Sequence, residues 1–211
     1  MNGKRVFDLA WTVPGLLVLA PLLGAVALLV RLVDGRPVFF RQERVGLHGR
    51  PFRIWKFRTM TAGAATGPAL TVAADARVTP LGRWLRATKL DELPQLFNVL
   101  AGEMSLVGPR PEVPRFVAQY TEAQRQVLTV RPGITDPACL SYRHEGVLLA
   151  RSADPERTYV AEIMPEKIRL NLAYARTATR WSDFRVILRT FGSLLPTPAG
   201  LLGDPNVSRQ T

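Results

Sequence analysis

The sequence predicts a membrane-associated α/β protein of the monotopic type, with a kinked re-entrant helix at the N-terminus, interfacial amphipathic helices and a small β-hairpin or sheet. Three observations lead to this prediction: an uncharged apolar stretch near the N-terminus, a run of β-branched and aromatic residues interrupted by turn residues, and apolar residues at helical spacing beside arginines. We divide the 211 residues into a re-entrant membrane helix (1–36), a main domain (37–194) and a flexible tail rich in proline and glycine (195–211).

The apolar stretch covers residues 9–30 without a charge, which is long enough to cross a bilayer as a straight helix. Pro14 and Pro21 lie inside it, and each removes a backbone hydrogen bond and favours a kink. Basic residues flank both ends, so the positive-inside rule favours both ends on the cytoplasmic side. The residues favour a re-entrant hairpin, and they leave a single transmembrane anchor as the alternative.

The next segment has the composition of a β-hairpin. Residues 38–60 are rich in β-branched and aromatic side chains, with turn signals at Gly46 and at His48-Gly49. We therefore expect two antiparallel strands joined by a short turn. The small residues that follow, 61–75, predict a loop.

Three later segments have the pattern of amphipathic helices. Thr79 and Pro80 are typical of an N-cap and a first helical residue, and the helix that they begin places Trp84 and its apolar neighbours on one side. Such a helix suits the membrane interface, although a helix packed on a soluble core has the same pattern. The second segment is 113–129, and the third combines Trp181, Phe184, Ile187, Leu188 and Phe191 with Arg180, Arg185 and Arg189.

The chain carries 28 Lys and Arg against 17 Asp and Glu, a net charge of +11. Such a charge indicates a polyanionic partner: nucleic acid, anionic lipid or a phosphorylated substrate. Residues 1–60 contain ten basic and three acidic residues, so +7 lies beside the apolar stretch, which favours lipid headgroups or a phosphorylated substrate over nucleic acid. One cysteine and two histidines exclude an internal disulfide and offer no zinc-type cluster, so a bound metal would have oxygen ligands.

Two adjacent carboxylates, Asp91 and Glu92, precede a helical stripe of apolar residues that extends to Leu100. Pro94 belongs in a first turn, so the pair lies at or just before a helix N-terminus. There the helix dipole stabilises carboxylates, and free N–H groups can receive a phosphate. Acidic residues also occur in first turns for structural reasons alone, so the pair by itself leaves both interpretations open.

Rigid basic turns follow the carboxylate pair. Arg110 lies between Pro109 and Pro111, whose fixed φ angles reduce the entropy that the backbone loses when Arg110 binds an anion. An ordinary turn with a surface arginine is the alternative. A second rigid basic turn begins at Arg131, and Arg143 lies farther along.

Six motifs follow one another along the chain: Lys4-Arg5-x-Phe7-Asp8, Gln42-Glu43-Arg44-x-Gly46, Lys56-Phe57-Arg58-Thr59-Met60, the run from Asp91-Glu92-Leu93-Pro94-Gln95 to Leu100, the run from Gly102-Glu103-Met104-Ser105 to Pro109-Arg110-Pro111, and Arg131-Pro132-Gly133-Ile134-Thr135. In this order they resemble the small monotopic phosphoglycosyl transferases, bacterial sugar transferases that begin glycoconjugate assembly on a polyprenyl phosphate. The resemblance covers residues 4–194.

The resemblance implies transfer of a sugar phosphate from a UDP-sugar to undecaprenyl phosphate, with release of UMP and a requirement for Mg²⁺. It makes 37–194 the catalytic domain and Asp91 the nucleophile that forms an aspartyl-phosphosugar intermediate. Asp91 and Glu92 become the catalytic and Mg²⁺-binding pair. The expected substrate-binding residues are Lys56, Arg58, Arg86, Pro109, Arg110, Pro111 and Arg143. Such a reaction would initiate assembly of an exopolysaccharide, O-antigen, capsule or glycoprotein glycan.

The implied partners are the UDP-sugar donor, the undecaprenyl phosphate acceptor and membrane lipids, without nucleic acid and with a homodimer left open. The implied location is the bacterial inner membrane, with the catalytic domain facing the cytoplasm. The chain departs from the family pattern at residues 136–139 and at Asn171, which we expect to affect sugar choice or partner contacts. Two alternatives remain: a non-catalytic peripheral membrane-binding protein, and a transferase of the sugar alone that releases UDP.

Overall fold

The computed structural model describes residues 3–64, 67, 70–72, 75–143 and 145–194, so the predicted C-terminal tail lies outside the described residues. The helices are α1 (Gly3–Val33), α2 (Pro80–Ala87), α3 (Leu96–Ala101), α4 (Pro114–Val117), α5 (Glu122–Arg125), α6 (Pro137–Ser141), α7 (Glu145–Ala150), α8 (Pro155–Thr158), α9 (Met164–Thr177) and α10 (Arg180–Leu194). The strands are β1 (Phe39–Val45), β2 (Pro51–Phe57), β3 (Ser105–Val107) and β4 (Gly133–Thr135). This mixture of helix and sheet confirms the predicted α/β content, but the strands form two separate two-stranded sheets.

The first sheet is the predicted hairpin. β1 and β2 are antiparallel, with Gln42 opposite Ile54. The turn between them has a left-handed backbone at His48 (φ 55°) and Gly49 (φ 75°), a conformation that glycine adopts without steric cost. Ile54, on the buried face of β2, lies in one hydrophobic cluster with Val99 of α3. This packing holds β2 beside the helix that follows the carboxylate pair.

The second sheet is a parallel pair that places the two rigid basic turns side by side. Ser105 of β3 lies opposite Gly133 of β4. The backbones approach so closely after β3 that a Cβ atom on Gly133 would lie 2.1 Å from the amide nitrogen of Gly108. Only glycine fits there, and the close contact fixes the start of the loop that carries Arg110.

Helix α1 is continuous through both of its prolines. Among the described residues, it is the one helix with the length and apolar composition to cross a membrane. The predicted kinked, re-entrant path of this helix stays a prediction.

The N-terminal end of α1 is fixed to the main domain by polar contacts. Arg5 donates hydrogen bonds to the carbonyls of Val99 and Leu100 at the end of α3. Asp8 is fully buried, and its Oδ1 accepts from the Ser105 hydroxyl at 2.9 Å and from the Leu106 amide at 3.2 Å. The first turns of α1 are therefore joined to both α3 and β3.

The C-terminal end of α1 is fixed to a different part of the same domain. Val26 and Val30 are buried in a hydrophobic cluster with Phe57 of β2 and Leu85 of α2. Asp34, just past the helix, accepts a hydrogen bond from the Thr79 hydroxyl through Oδ2 at 2.9 Å. Between the two fixed ends α1 presents exposed apolar side chains, Leu17 and Val18 among them.

The single helix predicted for residues 113–129 is wrong. Two short helices, α4 and α5, and a 3₁₀ turn occupy this segment. Thr121 has an extended backbone, its hydroxyl accepts from the Gln124 amide, and the Gln124 side chain accepts from the Thr121 amide. This capping box begins a new helix and ends any continuation of α4.

Both other predicted amphipathic helices are present. The Thr79 hydroxyl accepts from the Gly82 amide at 2.9 Å and Pro80 is the first residue of α2, as the sequence predicts. Helix α10 exposes Trp181, Leu188 and Phe191. Their place in the membrane interface stays a prediction.

Candidate active site

The carboxylate pair lies in a 3₁₀ turn, Leu90–Gln95, that runs directly into α3. Lys89 has a left-handed backbone (φ 58°) and redirects the chain from the end of α2 into this turn. The predicted position at the start of a helix is therefore confirmed. The Glu92 amide donates to the Lys89 carbonyl at 3.2 Å, so this N–H group is not free to receive a phosphate, contrary to expectation.

Glu92 is held by two cations from distant parts of the chain. The Lys56 ammonium on β2 lies 2.6 Å from Oε1, and Arg110 donates to both carboxylate oxygens, with Nη1 3.2 Å from Oε2. Burial alone would raise the pKa of Glu92, but Arg110 and Lys56 outweigh it and hold the pKa well below its ordinary value. Glu92 in turn raises the pKa of Arg110 well above its usual range. The three groups form a partly buried charged cluster in which Glu92 stays ionised.

Asp91 has the opposite environment. Its side chain is buried, with 6% of the residue exposed, and its Oδ1 has no hydrogen-bond partner in the described part of the chain. Burial, followed by the negative charge of Glu92, raises the pKa of Asp91 from 3.8 to about 6, and the charges of Lys56, Lys89 and Arg86 oppose this rise. Two adjacent acids thus differ sharply in how readily they lose a proton.

Two of the other arginines predicted to bind substrate are placed differently. Arg86 of α2 donates from Nε to the Thr59 hydroxyl at 2.8 Å. Burial lowers its pKa, and the charge of Asp91 partly offsets this effect. Arg58 is buried and donates from Nη2 to the Asp34 carbonyl, without contact to either acid of the pair.

The loop that carries Arg110 is fixed on the hairpin. Arg44 of β1 donates from Nη1 to the Pro111 carbonyl at 3.1 Å, and the Val45 amide donates to the Glu112 carbonyl at 2.9 Å. Pro109, Arg110 and Pro111 therefore line a small cleft beside β1. Arg44, which fixes this loop, was missed among the predicted site residues, although its motif on β1 is part of the resemblance.

Asn98 of α3 was also missed. It is fully buried, its Oδ1 accepts from the Trp55 amide at 2.9 Å, and its Nδ2 donates to the Arg53 carbonyl at 2.9 Å. These bonds join α3 to β2 and thereby position Lys56 of β2 beside Glu92. Nothing nearby in the sequence indicates this role, because the partners lie more than forty residues away.

Arg143 is exposed and lies between α6 and α7, and within the described part of the chain it forms no ion pair with Asp91 or Glu92. At the departure from the family pattern, buried Asp136 caps α6 by accepting from the Cys139 amide at 2.9 Å. The charge of Asp136 also contributes to the raised pKa of Arg110, after the larger effect of Glu92.

The implied Mg²⁺ requires oxygen ligands from the chain or the substrate. Within the described residues, no group of three or more His, Cys, Asp or Glu could hold a metal ion. Mg²⁺ is usually held by one or two carboxylates together with substrate phosphates. Asp91 fits this pattern because its Oδ1 has no hydrogen-bond partner among the described residues, whereas the Glu92 carboxylate already accepts from Lys56 and Arg110 and would share its oxygens between these cations and the ion.

Comparison with known proteins identifies the family of this chain. The sequence profile of the bacterial sugar transferase family matches residues 1–197. An undecaprenyl-phosphate glucose phosphotransferase of Komagataeibacter xylinus is 41% identical over 90% of this chain, which spans 35% of that relative. A UDP-glucose:undecaprenyl-phosphate glucose-1-phosphate transferase of Caulobacter vibrioides is 39% identical over 92% of this chain and 70% of the relative. An N-acetylgalactosaminephosphotransferase of Aeromonas hydrophila that uses undecaprenyl phosphate is 35% identical over 91% of this chain and 43% of the relative. The chain therefore belongs to the bacterial sugar transferase family.

Proposed function

We propose that this protein is a phosphoglycosyl transferase that moves a sugar phosphate from a UDP-sugar to undecaprenyl phosphate and releases UMP, through a covalent aspartyl-phosphosugar intermediate on Asp91. The observation that carries the proposal is the unequal environment of two adjacent acids. Glu92 is bound by two cations, whereas Asp91 has an unengaged oxygen and a pKa of about 6. Acids with separated pKa values take different roles in catalysis. Asp91 is the reactive carboxylate, and Glu92 organises the cations around it.

In the first step the Asp91 carboxylate attacks the sugar-bearing phosphorus of the donor. A bond forms between a carboxylate oxygen and this phosphorus, the bond from the phosphorus to the bridging oxygen breaks, and UMP leaves with that oxygen. A carboxylate with a pKa of about 6 is mostly ionised at neutral pH and is more basic than an ordinary aspartate. Both properties favour nucleophilic attack.

In the second step an oxygen of the lipid phosphate attacks the same phosphorus. The bond to Asp91 breaks, the carboxylate is regenerated, and the sugar is left on a lipid diphosphate. Both steps bring anions together, so catalysis depends on preorganised positive charge. Lys56, Lys89, Arg86 and Arg110 surround the two acids and supply it.

Mg²⁺ is the proposed cofactor. Asp91 would hold it together with the substrate phosphates, and when bound the ion would neutralise charge that develops on the donor diphosphate. The chain's own cations bind the phosphates and orient them toward Asp91 in either step.

We further propose that α1 is re-entrant and that the catalytic domain lies on the cytoplasmic face of the bacterial inner membrane, in contact with its lipids. A helix that crosses the bilayer has its ends on opposite faces of a hydrocarbon core about 30 Å thick. Here Arg5 and Asp8 at one end, and Val30 at the other, contact the same domain. Contacts at both ends support an entry and an exit on one face, with the exposed apolar middle of α1 in lipid.

The test of the function replaces Asp91 with Asn and measures UMP release from a panel of UDP-sugars, with undecaprenyl phosphate supplied in phosphatidylcholine nanodiscs. We expect the variant to lose UMP release by a factor of at least about 10³, because the nucleophile is absent. Incubation of the wild type with donor alone should add the mass of one phosphosugar, and the variant should lack this adduct. The matched control is Asp154→Asn, since Asp154 only caps α8 and Asn caps equally well.

Three outcomes would contradict the proposal. UMP release by Asp91→Asn at the wild-type rate would exclude Asp91 as nucleophile. Release of UDP would indicate transfer of the sugar alone. Binding to nanodiscs without turnover of any UDP-sugar would indicate a non-catalytic membrane-binding protein. The panel also identifies the sugar, which the names of the relatives leave open because they specify both glucose and N-acetylgalactosamine.

A further inference from the structure

Two arginines near the carboxylate pair have no acidic partner. Within the described residues, neither Arg58 nor Arg86 lies within ion-pair distance of a carboxylate, whereas Lys56 and Arg110 are both paired with Glu92. Arg58 is 6% exposed, yet only its Nη2 is engaged, by the Asp34 carbonyl, and its Nε and Nη1 have no hydrogen-bond partner in the described chain.

Such a group is unusual because a buried charge is costly unless it is paired and fully hydrogen-bonded. A guanidinium carries five N–H donors in a fork that matches the oxygens of a phosphate. An anion that reaches Arg58 is also shielded from water, which strengthens charge-assisted hydrogen bonds. The unengaged donors of Arg58 therefore suit a phosphate.

The position of Arg58 indicates where that phosphate comes from. Asp34, its one partner, directly follows the membrane helix α1, and Leu32 and Val33 at the end of this helix are exposed, at 73% and 61%. Trp84 on the neighbouring helix α2 is also half exposed. An anion that arrives here along α1 keeps an apolar tail in lipid while its charged end reaches the protein interior.

Arg58 is also connected to the reacting carboxylate. The next residue, Thr59, accepts a hydrogen bond from Arg86 at 2.8 Å. The charge of Arg86 lowers the pKa of Asp91, after the larger effects of Lys56 and Lys89, and Asp91 in turn is the carboxylate with the largest effect on the pKa of Arg86. Arg58 and Arg86 thus lie, in this order, between the end of α1 and Asp91.

We propose that Arg58, with Arg86, binds the phosphate of the polyprenyl phosphate acceptor, whereas Lys56 and Arg110 serve the nucleotide donor. The proposal rests on the proposed function and divides its cations between the two substrates. Arg58 binds the acceptor so that a phosphate oxygen can attack the phosphorus carried by Asp91, with the aspartyl oxygen as leaving group. Its contribution is therefore to the second step.

The experiment separates the two half-reactions in Arg58→Gln and Arg58→Lys. The first half-reaction is the UMP formed per enzyme from UDP-sugar without acceptor, and the second is turnover against undecaprenyl phosphate in phosphatidylcholine nanodiscs. We expect Arg58→Gln to keep the first and to raise the KM for undecaprenyl phosphate about tenfold to a hundredfold, the range for loss of hydrogen bonds to a charged group. The matched control is Arg83→Gln, which removes an exposed arginine from α2 and should leave both half-reactions unchanged.

Arg58→Lys keeps the charge but loses the planar fork, so we expect an intermediate KM, and this variant decides the question if Arg58→Gln does not fold. An unchanged KM for undecaprenyl phosphate in the folded variant, or an equal loss of the first half-reaction, would overturn the inference while leaving the proposed function intact. Failure of the wild type to form UMP without acceptor would instead refute the covalent mechanism itself.

Inorganic phosphate and phosphatidylglycerol serve as alternative anions that identify the source of the phosphate bound at Arg58. If inorganic phosphate or phosphatidylglycerol saturated the Arg58 site at a concentration equal to the wild-type KM for undecaprenyl phosphate, the assignment of this site to the polyprenyl acceptor would be overturned.

Discussion

Replacing Asp91 with Asn is expected to stabilise the folded protein at neutral pH although it removes the proposed nucleophile. Ionised Asp91 is unfavourable in the folded state because the carboxylate is buried, lies beside ionised Glu92 and leaves Oδ1 without a hydrogen-bond partner in the described chain. Asn has nearly the same shape without the charge. The substitution should therefore remove a cost that the active site imposes on stability.

The magnitude follows from the pKa of Asp91, which is raised from 3.8 to about 6. At about 1.36 kcal/mol per pKa unit, ionised Asp91 reduces the free energy of unfolding by about 3 kcal/mol. For a chain of this size, that difference corresponds to a Tm increase of about 6–12 °C for the Asn variant.

The sign of the pH dependence is also determined. Because the pKa is higher in the folded state, the unfolded chain loses this proton first as pH rises. The stability that protonated Asp91 contributes is present below about pH 4 and is lost as pH rises to about 6. The advantage of Asp91→Asn should therefore be absent near pH 4, grow between pH 4 and pH 6, and stay constant above.

The assay is thermal unfolding of both proteins in one detergent between about pH 4 and pH 8. Glu92→Gln provides a control of opposite sign. Its partners Arg110 and Lys56 overcome burial and lower the pKa of Glu92, so its charge stabilises the fold. Removing one member of a buried ion pair costs about 3–5 kcal/mol, so this variant should unfold at a lower temperature at pH 7.5. If Asp91→Asn also lowers the Tm at pH 7.5, or if its advantage is the same at pH 4, then Asp91 is not the destabilised member of the pair.

Two further predictions concern catalysis and topology. In the proposed mechanism, UMP formation without acceptor requires ionised Asp91, so the rate of this step, measured by rapid quench, should fall about tenfold for each pH unit below about 6. A rate that stays unchanged down to pH 4.5 would contradict the pKa assigned to Asp91. Cysteines introduced singly at positions 2 and 150, in a Cys139→Ala background, should both react with a membrane-impermeant maleimide only when the cytoplasmic face is accessible. Labelling of the two positions from opposite faces would show that α1 crosses the membrane, even if the chemistry is as proposed.

Several features could be predicted from the sequence because they depend on neighbours a few residues apart. The N-cap at Thr79, the turn at Gly49 and the position of Asp91 at the start of a helical segment all follow from local backbone preferences. The break within 113–129 is also local, since Thr121 and Gln124 form a capping box, and the apolar periodicity obscured that signal. The family itself was indicated by six motifs in order, and the match over residues 1–197 agrees.

By itself, then, the sequence determined the family, the local elements and the identity of the acidic pair, because each is encoded by residues close together in the chain. The resemblance assigned the role of nucleophile to Asp91, but the sequence did not show how the environments of the two acids differ. Only the tertiary structure brings Lys56 and Arg110 to Glu92 and leaves Oδ1 of Asp91 without a hydrogen-bond partner among the described residues. The physical reason is that pKa values and ion pairs depend on burial and on charges that packing brings together from distant parts of the chain. The same applies to α1, whose composition permits a simple anchor but whose two ends both contact the main domain.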